Sequence, residues 1–148
     1  MSHQHTRQSS RMSPAAREEA HRTYLEETLF EAVLTAGAVV AFADRRADAA
    51  ERSEFAGFVG HSRWLPTFTP ADAAEAFDSR VRQFEMAGSI PESEMGSLQR
   101  VGDDVGICEI VRAAELVALA DGCVQPAEVE ALRRIRSAMG PSLIGVRD

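Results

Sequence analysis

Two acidic pairs carry most of the chemistry this chain offers. Asp121 and Glu128 stand seven residues apart in "ADGCVQPAE", Ala120 to Glu128, and Asp44 and Glu51 stand at the same spacing in "ADRRADAAE", Ala43 to Glu51. Carboxylates so placed have three uses. They ligate a hard cation such as calcium or magnesium, which takes oxygen donors. They work as an acid–base pair, given a pocket that raises one pKa. Or they cap the helices that meet at the turn. The spacing is not that of an EF-hand, whose loop places oxygen ligands at positions 1, 3, 5 and 12 and Gly at 6. Counted from Asp121, positions 3 and 5 are Cys123 and Gln125, and the glycine comes second. If the two turns lie together, Asp44, Asp48 and Glu51 from one could meet Asp121 and Glu128 from the other. The chain contains no GxGxxG, P-loop, GxSxG or HExxH sequence, so the usual nucleotide, hydrolase and zinc-protease chemistries have no carrier.

The elements that must position these groups are helical. Period-2 alternation is absent, alanine is abundant, and Gly and Pro punctuate apolar segments of helical period. A first helix begins between residues 14 and 24 and runs to about Ala43, apolar on more than one side and therefore central. A second starts near Asp48, with Asp48 as N-cap and Glu51 at N3 reaching back to the cap amide, and Gly60 ends it. Thr69 caps a third helix, with Pro70 at N1 and Asp72 at N3, which ends at Gly88. A short helix begins near Pro91. A long apolar helix spans about Asp104 to Ala120, and a last one runs from Pro126 to about Met139. There Gln125 is the N-cap and Glu128 a capping-box residue, with Gly122 as the left-handed residue of the preceding turn. The tail "SLIG" folds back on the core.

The chain also repeats itself. Ala36 to Phe55 aligns without a gap on Ala113 to Leu132, and the same 77-residue offset separates Asp44 from Asp121 and Glu51 from Glu128. The fold expected is all-α, a compact bundle of about seven helices built from two pseudo-symmetric helix–turn–helix repeats. Residues 1–15 form a disordered polar tail and 16–148 a single domain, with repeat one at about 24–60, a spacer at 61–103 and repeat two at about 104–140. In each repeat the aspartate extends the core-facing stripe of its helix at the C-terminal end, where the helix dipole is unfavourable to a negative charge. It then needs amide donors or a cation. Arg45 and Arg46 make the first turn less hospitable to a cation than the second.

Composition sets outer limits. A net charge of −7 lacks the cation density that phosphate backbones require, which argues against nucleic acid. No segment reaches the roughly 20 apolar residues of a membrane span, and the N-terminus has no secretory h-region. Cys108 and Cys123 read as reduced, buried thiols. Trp64 reads as the anchor of its connector, and Glu109, Arg112 and Glu115 as an ion pair on a polar helix side.

The duplicated apolar helix ending Ala-Asp-Gly, followed by a loop with Pro or an acidic residue and then Glu, resembles the TerB-like tellurite-resistance family. The resemblance covers roughly Tyr24 to Gly145. "LVALADGCVQPAEVEAL" is close to the family pattern, whereas "VVAFADRRADAAERSEF" lacks its glycine. The resemblance implies a cytoplasmic, bacterial bundle linked to tellurite resistance and wider metal or chemical stress, with no catalytic activity. Its cofactor would be at most a divalent cation, calcium or magnesium, and its partners other stress-response proteins. The family's acidic cation- or partner-binding cluster maps onto Asp44, Glu51, Asp121 and Glu128. The competing reading is a helical protein–protein interaction module without metal, its acidic residues being helix caps.

Overall fold

The computed structural model describes residues 12–44 and 48–140. Within them six α-helices and one 3-10 turn follow in the order α1 (Pro14–Ala43), α2 (Ala49–His61), α3 (Pro70–Ala87), α4 (Glu92–Gly96), the 3-10 turn (Ser97–Arg100), α5 (Asp104–Ala118) and α6 (Pro126–Ala138), with no strand. The sequence predicts about seven helices; the described residues hold six, with a 3-10 turn that continues α4. None of these helices is long and apolar enough to cross a membrane.

α1 is the axis of the bundle. Ser13 caps it by accepting the Ala16 N–H (3.1 Å), and Pro14 occupies N1. Pro14 and Ala15, assigned above to the polar tail, are therefore its first helical residues; residues 1–11 lie outside those described. From Leu29 to Ala41 every side chain but that of Glu31 is buried, because α3, α5, α6 and the 3-10 turn all pack on this half. That is the surrounding an all-round apolar helix requires. α1 and α5, the two long apolar helices, pack against each other, with α2 on α5 and α6 on both. Gly37 marks a close crossing. A Cβ there would lie 2.9 Å from Phe55 Cδ2 of α2 and 3.5 Å from Val117 Cγ2 of α5, so the absent side chain is what lets the three helices meet.

Aromatic pairs strengthen a core that is otherwise aliphatic. Phe55 stacks on Phe77 (5.2 Å between ring centroids) and Phe30 on Phe68 (3.9 Å). The α4 segment is tied to the bundle by Arg80, whose guanidinium donates to Glu31, Thr35 and Glu94.

The α3 boundaries are those read from the sequence. Thr69 Oγ1 accepts the Asp72 N–H (3.0 Å), Asp72 accepts the Thr69 N–H (3.3 Å), and Gly88 closes the helix at φ +72°. Thr69→Ala is expected to cost about 1 kcal/mol by loss of this cap, read as a lower urea midpoint with an unchanged slope. Other boundaries move. Gly60 does not stop α2, which continues to His61. A Cβ at Gly60 would meet Pro70 Cγ at 2.6 Å, so this glycine serves the close approach of α2 to the start of α3. α5 ends at Ala118, two residues early, because tighter turns take over: Ala120 N–H donates to Val117 and Gly122 N–H to Leu119.

Three side-chain expectations are corrected. Both cysteines are exposed: Cys108 lies on the outer side of α5 and Cys123 in a surface turn. Trp64 is 43% exposed with the Arg63 guanidinium over its ring, and it is the neighbouring Leu65, fully buried, that anchors the connector. The expected ion pair of Arg112 with Glu109 is present at 4.0 Å, but Glu109 does not lie on a polar side: it is buried and also accepts from Ser62 Oγ (3.1 Å), and Glu115 pairs instead with Arg136. Arg45, Arg46 and the "SLIG" tail lie outside the described residues.

Candidate functional site

The two turns do come together. Asp44 and Asp48, from the α1–α2 turn, share the wall of a cleft of about 700 Å³ with Asp121 and Gln125, from the α5–α6 turn. Gln125 was read from the sequence only as a cap; its place beside Asp121 in the turn is the signal for this second location. Glu51 and Glu128 belong to the first turns of α2 and α6 and are each only 1% exposed.

Each carboxylate is set by its own local structure. Asp44 is the half-buried C-cap of α1, its amide donating to the Phe42 carbonyl. Asp48, exposed, accepts the Glu51 N–H (2.9 Å) and so caps α2. Asp121 does not extend the core-facing stripe. Because α5 stops at Ala118, Asp121 falls in the turn, exposed, with its Oδ1 accepting the Cys123 N–H (3.2 Å). Gly122 takes φ +83° there, a conformation in which a β-carbon is disfavoured. Glu128 is the capping-box residue expected, its Oε1 accepting the Gln125 N–H (2.8 Å) over Pro126 at N1.

Glu51 departs from its counterpart. The sequence places it to reach back to the cap amide, but among the described residues neither carboxylate oxygen makes a well-formed hydrogen bond, and the Asp48 amide is the least of the influences on it. A fully buried, unpaired carboxylate is a costly group. Burial first, then the charges of Asp44, Asp48 and Glu128, push its pKa up to about 8, with the Asp48 amide opposing. Glu128 is raised as well, by burial and by Asp44, Asp121 and Asp48, against the hydrogen bond from Gln125. Asp44 and Asp48 act on the buried glutamates of both turns, so the five acidic residues form one electrostatic unit.

Chemically this is an all-oxygen, strongly negative concavity, the donor set that suits hard cations. The side chains do not converge on a ready-made centre: among the described residues, no three His, Cys, Asp or Glu are grouped so as to hold an ion. Among the described residues, Glu51 is left with no well-formed hydrogen bond to its carboxylate oxygens.

The family model described as "Tellurite resistance protein TerB" matches residues 30–142, three-quarters of the chain, and the chain belongs to that family. No curated protein matches it. No solved structure matches it either.

Proposed function

With TerB membership as the premise, we propose that this is a non-catalytic, cytoplasmic bacterial stress-response domain, associated with tellurite or metal stress, whose acidic cleft takes up a divalent cation. The observation that carries the reading is Glu51. Helix capping accounts for Asp48 and Glu128, and a local turn bond for Asp121. Nothing of the kind accounts for a buried carboxylate that has, among the described residues, no well-formed hydrogen bond to either oxygen beside four other acidic residues. Calcium, which accepts six to eight oxygens in a flexible geometry, suits side chains from two separate turns better than magnesium, which demands a near-ideal octahedron. Asp44, Asp48 and Asp121 would hold the ion from the cleft wall, and the ion would displace the proton that Glu51 holds up to about pH 8, so that Glu51 joins Glu128 in adding charge from the helix starts. The correspondence of the turns as two repeats is part of the same reading.

Calorimetric titration with calcium and with magnesium tests it. Wild type is expected to bind calcium at millimolar concentration or better. Asp44→Asn and Asp121→Asn, one from each turn, should each weaken binding by at least about tenfold, on the order of 1.4 kcal/mol. Loss in only one variant would restrict the site to one turn.

The second reading, a metal-free helical interaction module, is favoured by the number of acidic side chains already engaged with backbone amides. It predicts no calcium binding by the wild type and a modest stability loss in Asp121→Asn, on the order of 1 kcal/mol.

A further inference from the structure

Two features far from the acidic cleft are unused by that function. The first is the N-terminal half of α1. From Pro14 to Leu25 its side chains are exposed, apart from the half-buried Ala16, and these roughly three turns leave the bundle as a projecting arm bearing Tyr24 and Leu25, both at least half exposed. The buried half of α1 supplies the helix nucleus for this arm, but its apolar Tyr24 and Leu25 gain from a surface to lie on. The second is a groove of about 850 Å³ between α2 and α5. Its α2 wall includes Glu54, Gly57 and Phe58, its α5 wall Val105 and Leu116, and Trp64 stands at one end.

We propose that the α1 arm of one copy lies in the α2–α5 groove of a second copy, and the reverse, giving a closed dimer by exchange of arms. The dimensions agree. Pro14 to Leu25 spans about 18 Å of helix, and the α5 wall from Asp104 to Leu116 spans about the same. Gly57 faces open space, with nothing within 4 Å of a Cβ placed on it. A glycine inside a helix disfavours the helix, and here it leaves a dip for the approach of another helix. The arm answers with a shallow face where Ala16 and Ala20 stand beside Tyr24.

Charges complement as well. The arm offers Arg17, Arg22, Glu18 and Glu19, and the groove offers Glu54, Asp104 and Arg63. None of these makes an ion pair among the described residues. The arm cannot fill its own groove, since α1 is one uninterrupted helix through Ala43. Its root is nonetheless fixed beside the groove's Trp64 end: Glu26 accepts from the N–H and hydroxyl of Thr67 (2.7 and 2.6 Å). Two copies can therefore exchange arms reciprocally, which closes the assembly at two.

Sedimentation of the full chain from about 1 to 100 μM, a range that covers moderate affinities, tests the dimer. Trp64 is the only tryptophan and reports on the groove. The expected result is a monomer-to-dimer transition with a parallel blue shift of its emission. Tyr24→Glu on the arm and Gly57→Leu in the groove should each raise the dissociation constant by at least about tenfold, with helix content unchanged. Val105→Glu, at an exposed position on the opposite wall, reads the groove independently should Gly57→Leu disturb α2. A monomer throughout the range, or a dimer that survives the arm variant or the groove variants, overturns the exchange.

Discussion

Glu51→Gln is expected to make the protein more stable at alkaline pH and to remove most of its pH dependence between about 4.5 and 8. In the folded state burial and neighbouring carboxylates hold the proton on Glu51 up to about pH 8, against an ordinary value of 4.5. The unfolded chain releases that proton near the ordinary value. Between the two the folded state binds more protons, so stability falls as pH rises and the full penalty is reached above pH 8. At 1.36 kcal/mol per pKa unit the penalty is on the order of 3–5 kcal/mol. Glutamine cannot ionise, so it escapes this slope. Its buried amide is as unpaired as the protonated acid it replaces, so the two proteins should be nearly equal at pH 5. The variant should then lead by about 2–4 kcal/mol above pH 8, after allowance for the amide's own desolvation. Urea denaturation at intervals from pH 5 to 9 measures this. Parallel curves for the two proteins would mean that Glu51 is solvated or paired in solution.

Phe55→Ala is expected to be the most damaging single core change at the site. Its ring is fully buried, lies against Gly37 of α1 and stacks on Phe77 of α3. Truncating a buried phenylalanine costs about 3–5 kcal/mol, through lost transfer energy and the cavity left behind. Small domains have about 5–15 kcal/mol in total, so the variant should sit near its unfolding transition at ambient temperature. Phe55 is also one helical turn beyond Glu51 on α2. Loosening it lets water reach Glu51, so the alkaline loss of stability should shrink in the same variant. Urea midpoints at pH 6 and pH 8.5 give both effects. A cost below about 1 kcal/mol would show that α2 is not packed on α1 as described.

Much of this was legible in the residue types. Thr69, Pro70, Asp72 and Gly88 mark the ends of α3 through cap chemistry confined to a few neighbouring residues, and Gln125, Pro126 and Glu128 do the same for the start of α6. The central place of α1 followed from apolar residues on more than one of its sides. Features that depend on which helix lies across from a residue were not legible. Gly60 reads as a stop in a linear sequence, whereas it is a point of contact with Pro70. Cys108 reads as core because its neighbours are apolar, but it faces outward. Carrying the α5 periodicity on to Asp121 runs past the end of the helix at Ala118 and so misplaces Asp121 on the core-facing stripe.

The candidate site divides in the same way. The sequence names Asp44, Asp48, Glu51, Asp121 and Glu128, and the fold brings the two turns into one cleft. Periodicity cannot show that Glu51 and Glu128, at matching positions, differ in the cap-amide hydrogen bond that Glu128 makes well and Glu51 does not.

The central claim is that both turns build a single cation site. Its most direct test is a calcium titration followed by amide NMR on the full chain. Amides around Asp44 to Glu51 and around Asp121 to Glu128 should shift together and saturate along one binding curve. No shift at millimolar calcium, or shifts confined to one of the two turns, would contradict it.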